Sequence, residues 1–440
     1  MANAADEPMP PREIATTMPP NANARVSAPL DLTGFADWLV ERGLRGLPLD
    51  EQVDGFCRRL VEGGFPARRF NMSIGTLHPR HGARSYVWRP EGLATEEFAR
   101  QRSIEEREAF LCSPIHYLQS SGAIRLRRRL DADTPHEFPL LAELRAVGMT
   151  DYAARVVPFD AARATTSGVA AAVAGGAPPN PMQGIFFSAT TDVAGGFDEH
   201  QVRQVDDLLP YLALAVKSRS MFEVARTLLE TYLGPDAGRR VLTGEIDRHV
   251  VQRIQAVIWL CDLRGFSAVA SRVPQEELIE ILGAYHEVMA RPVLDHRGQI
   301  LKFMGDGFLA TFDLTQRDRQ AACNDALDAV EQLLVTFPQL NVKRHAAGKS
   351  TLDFGIALHL GEVLYGNIGT KERLDFTVVG SAVNEASRIE GLCRPLQQNV
   401  LVSSAFHEAA IACMERMVSV GVHTLRDIRE AQELFTIAGA

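Results

Sequence analysis

The sequence predicts a mixed α/β protein, and three stretches of its second half carry that prediction. Residues 254–261 are an uninterrupted apolar run bounded by charge, the pattern of a central strand buried on both faces. Residues 275–290 place Leu278, Ile281, Leu282, Tyr285 and Met289 on one face of an amphipathic helix. Residues 298–312 hold two apolar runs around Gly305-Asp306-Gly307, a β-hairpin signal.

The elements follow in chain order. Residues 1–30 are rich in Ala, Pro and Asn and poor in large apolar residues, which predicts a disordered tail. Residues 31–200 read as a separate mixed α/β domain. Helical stretches occupy 36–61 with a break at 43–48, and strands are expected at 70–77 and 85–88 around a turn at 78–82. An Ala/Gly/Pro-rich loop is expected at 168–181 and a strand at 184–190. Residues 201–250 form a helical linker. Val205, Leu208, Leu209, Leu212, Ala215 and Val216 recur at helical spacing within 197–232, where Pro210 is expected to kink or split the helix. That helix suits a signalling linker and reads equally as a terminal helix packed on its own domain. Gly234-Pro235 ends it, and 239–253 is a polar connector. Residues 251–440 form the second domain. A strand is expected at 353–360, and 374–390 reads as strand, turn and helix with Ser381 at the N-cap.

Composition narrows the function. Among 440 residues, 46% are hydrophobic and 23% charged, ordinary values for a soluble globular chain. The net charge of -9 argues against a nucleic-acid-binding surface. The six cysteines include no CxxC pair, so zinc spacing is absent and a reducing compartment is expected. No apolar run reaches ~18 residues, so no transmembrane helix is expected. The start of the chain lacks the apolar core of a signal peptide, and the location expected is cytoplasmic.

The candidate chemistry clusters in the second domain. Asp262 ends the buried strand and precedes a Gly265-Phe266 loop, where a carboxylate can hold a metal while backbone N–H groups meet phosphate. Read alone, Asp262 is equally a cap of the following turn. The hairpin turn lifts out Asp306, which meets Asp262 if the hairpin lies beside the first strand; two adjacent carboxylates call for a cation or a shared proton. Asn384 and Arg388 stand four residues apart on one helix face, as a polar ligand or a solvated face would both have them.

In order along the chain, CDLRGFS, LKFMGDGFLATF, HLGEVLYGNIG and FTVVGSAVNEASRIE make residues 254–435 resemble the class III adenylyl/guanylyl cyclase domain. The resemblance implies a ferredoxin-like α/β sandwich, paired head to tail as a homodimer with active sites at the interface. It makes Asp262 and Asp306 the ligands of two Mg2+ (or Mn2+) ions. Lys302 and Thr377 become the purine-reading pair, Thr377 being similar to the b subclass. Asn384 orients the ribose and Arg388 faces the transition state. Gly265 and Phe266 line the triphosphate, and Arg426 stands where the family carries a phosphate-binding lysine. Ser381 replaces the family's Asp or Asn. The first domain resembles a GAF-type sensor in architecture alone, with an unknown small-molecule or protein signal as its partner.

The activity so implied is conversion of ATP to 3′,5′-cyclic AMP and pyrophosphate. The alternatives are a guanylyl cyclase, for which Glu would be expected at 302, and a silent nucleotide-binding or dimerisation module, which would have lost a metal aspartate or the arginine. Lys302 only donates hydrogen bonds, which matches N1 of adenine and clashes with N1–H of guanine.

Overall fold

A computed structural model describes residues 31–78, 81–100, 103–130, 137–159, 184–247, 251–315, 317–426, 428 and 430–438. The chain divides into two compact units, Met1–Leu228 and Leu229–Ala440. The tail at 1–30 and the loop at 168–181 lie outside the described residues.

The first unit is built on a six-stranded antiparallel sheet. Helices α1 (Leu32–Arg45) and α2 (Leu49–Glu62) lead into β1 (Arg69–Gly75), β2 (His81–Arg89) and β3 (Gly92–Ala99). Two short helices, α3 (Ile104–Leu111) and α4 (Pro114–Ser121), precede β4 (Arg125–Arg129). Helix α5 (Pro139–Ala146), β5 (Asp151–Pro158) and β6 (Gly184–Thr191) complete the set, in spatial order β3-β2-β1-β6-β5-β4. Strand alternation gives the sheet two buried faces. Phe187 joins Phe35, Phe56, Phe70 and Trp88 in one core, while its neighbour Phe186 joins Leu118, Leu141 and Tyr152 in another.

Helix α6 (Glu199–Leu233) runs through Pro210 as one element, so the proline does not split it. Pro210 lies on the exposed side of the helix, where water can serve the carbonyl that its missing N–H leaves unpaired. Leu208, Leu209 and Leu212 hold the other side in the core of the first unit. The expected polar connector is also corrected in part. Residues 235–242 form helix α7 (Pro235–Leu242), and β7 (Val251–Leu263) begins before Arg253.

The second unit continues through α8 (Phe266–Ala270), α9 (Gln275–Asp295), β8 (Gln299–Met304), β9 (Gly307–Asp313), α10 (Arg319–Ala346) and β10 (Phe354–Gly369). Next come β11 (Leu374–Val379), α11 (Ser381–Glu390), β12 (Val400–Ser403), α12 (Ser404–Ala409), β13 (Met417–His423) and β14 (Gln432–Ile437). Its sheet runs β13-β14-β12-β10-β7-β9-β8, with β11 paired to β10. The segment β7-α9-β8-β9-α10-β10 is a β-α-β-β-α-β unit with its fourth, first, third and second strands side by side. β7 is central, antiparallel to β10 on one side and β9 on the other.

Both faces of β7 are covered, which explains its continuous apolar run. Val257, Trp259 and Cys261 face α9 and α10 through Tyr285, Met289 and Phe337. Ala256, Ile258 and Leu260 pack with Ala382 and Ala386 of α11 and with Phe376 and Val378 of β11. Ser381 is not the N-cap of α11: Gly380 takes that place, no side chain caps the helix, and Ser381 is its first helical residue. Among the described residues no helix is long and apolar enough to cross a membrane.

Candidate active site

The site begins where β7 ends. Asp262 is the penultimate residue of β7, and the β8–β9 turn brings Asp306 beside it. The backbone N–H of Leu263 donates to the carbonyl oxygen of Asp306 (3.2 Å) and to Oδ1 of Asp262 itself (3.1 Å). The register Cys261↔Phe308 fixes this end of the hairpin. Gly307 makes the approach possible, because a Cβ there would lie 2.1 Å from the Cys261 carbonyl oxygen. Gly305 turns the chain with φ +71, a left-handed conformation that favours glycine.

From α9, the imidazole of His286 donates through Nε2 to the Gly305 carbonyl at 3.2 Å and so braces the turn. Burial holds the His286 pKa below its usual value, so the ring brings no positive charge to the turn at neutral pH.

Asp306 perturbs Asp262. Burial, then the Asp306 charge and a hydrogen bond with Asp306, push the Asp262 pKa up to about 6. Glu390, at the end of α11, is raised too, first by burial and then by the charge of Asp262, with Arg264 opposing. Arg264 donates to Asp353 and Asn399, both at 3.0 Å.

Among the described residues no group of three or more His, Cys, Asp or Glu is set to ligate a metal. The Asp262–Asp306 pair nevertheless suits Mg2+, a hard cation commonly held by one or two carboxylates with substrate phosphates filling further positions. Gly265, with φ +72, opens the short helix α8 just beyond Asp262, and Phe266 packs against the core.

A second group lies on β8 and β11. Lys302 Nζ donates to Asp375 Oδ2 at 2.5 Å. Asp375 and Thr377 are two apart on β11 and share a face, while Phe376 and Val378 point into the core. The side chain that meets Lys302 is therefore Asp375, the neighbour of the expected Thr377. Thr377 is partly exposed and sits opposite Gly366 of β10.

Helix α11 carries Asn384, exposed, and Arg388, partly exposed, on the face away from Ala382, Ala386 and Ile389. Arg426 is exposed in a turn before β14. The structure thus joins Asp262 to Asp306 and joins Lys302 to the strand of Thr377. Asn384 and Arg388 share α11, and Arg426 stands apart in the turn before β14. Sequence reasoning missed Asp375, Glu390 and His286. Only Asp375 had a local signal, the two-residue period that it shares with Thr377.

Residues 250–437 match the model of the adenylate and guanylate cyclase catalytic domain. An adenylate cyclase of Anabaena cylindrica is 32% identical over 149 residues, covering 34% of this chain and 29% of that protein. Adenylate cyclase 1 of Rhizobium meliloti is 30% identical over 166 residues, 37% of this chain and 24% of that one. The chain thus spans less than a third of the length of these two relatives. The crystal structure of the guanylyl cyclase Cya2 aligns with 43% of this chain and 94% of its own, at 28% identity and a TM-score of 0.39. The family match extends from the start of β7 to the end of β14, so it is the second unit of the chain that is similar to the adenylate and guanylate cyclase catalytic domain.

Proposed function

We propose that the chain is an adenylyl cyclase that converts ATP to 3′,5′-cyclic AMP and pyrophosphate at sites shared by two copies of its catalytic domain. The observation that carries this reading is the convergence of Asp262 and Asp306 at the end of β7. Lys302 on the adjoining hairpin strand supports ATP as the nucleotide, because its ammonium offers only donors to the purine edge. Exposed Phe303 and Met304 on β8 and Val379 on β11 support the pairing of two copies, since they leave an apolar surface beside Lys302 and Thr377.

Each residue has a role under this proposal. Asp262 and Asp306 would hold two Mg2+ or Mn2+ ions, which would supply charge to acidify the attacking ribose hydroxyl and to balance the leaving pyrophosphate. Lys302 and Thr377 orient adenine. Asn384 holds the ribose so that its 3′-oxygen faces the α-phosphate. Arg388 meets charge growing on the α-phosphoryl oxygens, where a fixed guanidinium stabilises the transition state more than the ground state. Arg426 binds the distal phosphates, and backbone N–H groups after Gly265 meet the triphosphate. The six-stranded antiparallel sheet with flanking helices supports a GAF-type sensor in the first unit, which biases the catalytic pair through α6.

The test is direct. Purified chain with ATP or GTP, and Mg2+ or Mn2+, should yield cyclic AMP from ATP well ahead of cyclic GMP from GTP. Neither product under any pairing would sink the proposal; cyclic GMP as the main product would make the chain a guanylyl cyclase.

A further inference from the structure

We propose that Asp375 determines base specificity, forming with Lys302 the donor–acceptor couple that reads the purine. It rests on the adenylyl cyclase reading for its ligand, a purine nucleoside triphosphate, and adds a residue and a rule of selection to it.

Three observations carry it. Lys302 Nζ and Asp375 Oδ2 are 2.5 Å apart, which joins β8 to β11 through charged side chains. Both side chains are half-exposed, at 47% and 45%, so the pair adds little to stability and both groups remain open to a ligand. Asp375 also shares its face of β11 with Thr377, at the purine side of the proposed site.

The chemistry of the three groups then decides the rule. A threonine hydroxyl both donates and accepts. It can take a hydrogen bond from the 6-amino group of adenine or give one to the 6-oxo group of guanine, so Thr377 alone discriminates weakly. A carboxylate only accepts and an ammonium only donates. Adenine presents an acceptor at N1 and a donor at N6, which matches Lys302 and Asp375 in turn. Guanine presents a donor at N1 and an acceptor at O6, which opposes both. The ion pair also fixes the flexible lysine stem in one direction, so that its remaining N–H groups are pre-aimed.

The experiment uses the full chain with Asp375→Asn, Asp375→Glu and Thr377→Ala. The kcat/KM ratio for ATP over GTP is measured with Mn2+. Affinities are measured by calorimetry with the α,β-methylene analogues of ATP and GTP, which cannot be cyclised. An asparagine can turn its amide to suit either base. Asp375→Asn should therefore lower the ATP preference by roughly tenfold or more in both measurements, with the melting temperature unchanged. Asp375→Glu should recover part of the preference, and Thr377→Ala should move it less than Asp375→Asn does. A preference within twofold of the unsubstituted chain in Asp375→Asn, or one set by Thr377→Ala alone, overturns the inference. Selective analogue binding that depends on Asp375, in a chain with no turnover, would sink the cyclase reading and leave this inference standing. Absence of binding to either analogue overturns both.

Discussion

Asp262 is the residue in which the candidate site shows its electrostatic cost. Its pKa, pushed up to about 6 by burial and by Asp306, exceeds the ordinary carboxylate value of ~3.9 in an unfolded chain. The folded state therefore holds its proton more tightly than the unfolded state does. Stability from that proton is fully present below pH ~4 and is lost as pH rises through about 6. In chelator-treated protein, thermal midpoints measured from pH 4 to 8 should fall across this window more steeply in the unsubstituted chain than in Asp306→Asn. The variant removes the charge that raises Asp262. Saturating Mn2+ should flatten the unsubstituted profile, since cation binding favours the deprotonated pair. Parallel profiles for the two proteins without metal would show that the carboxylates do not interact. The meeting of Asp262 and Asp306 was legible because each sits inside a contiguous motif. Asp375 was not: its two-residue spacing from Thr377 puts both on one face of a strand, but its meeting with Lys302 depends on β8 lying near β11, a tertiary relation.

Strands and hairpins were legible where packing dictates their composition. The apolar run at 254–261 announces a strand covered on both faces, and Gly305-Asp306-Gly307 announces its hairpin turn. β4 was missed for the opposite reason: Arg125–Arg129 has four arginines around the single buried Leu126. It pairs with β5, and its charge is met by partners remote in sequence, with Arg127 at 2.8 Å from the buried Asp151. β3 was missed because it is an edge strand with half its residues facing water, where pattern is weak. Pro210 does not split the helix because apolar anchors at Leu208, Leu209 and Leu212 hold it on the core across the proline. The hairpin supports its own prediction. Gly307→Ala would place a methyl 2.1 Å from the Cys261 carbonyl oxygen, so the turn must move away from β7. Overpacking of this kind costs ~1–3 kcal/mol. Urea unfolding should show that loss, and cyclase activity should fall by more than tenfold even below the melting transition, because Asp306 moves with the turn. A variant with unchanged stability and turnover would show that the contact at Gly307 does not set the spacing of the aspartates.

At the scale of the assembly, the proposed site requires two copies of the chain. Under that proposal the metal aspartates come from one copy, and the purine, ribose and transition-state residues come from the other. Two-fold symmetry then gives each dimer two equivalent sites. Asp306→Ala alone disables both sites, because each draws one Asp306. Arg388→Ala alone does the same from the opposite side. In a mixed dimer the defects are distributed unequally: one site collects both and the other collects neither. Mixing the two inactive proteins should therefore restore activity, up to about half that of the unsubstituted enzyme per mixed dimer. Random exchange makes about half of the dimers mixed, so about a quarter of full activity should return in the pool. Subunit exchange is verified independently by co-purification of differently tagged chains. Recovery under those conditions cannot arise within single copies, since every copy lacks one essential residue. If exchange is complete and no activity returns, each chain would hold a whole site by itself, and the shared-site proposal would fall.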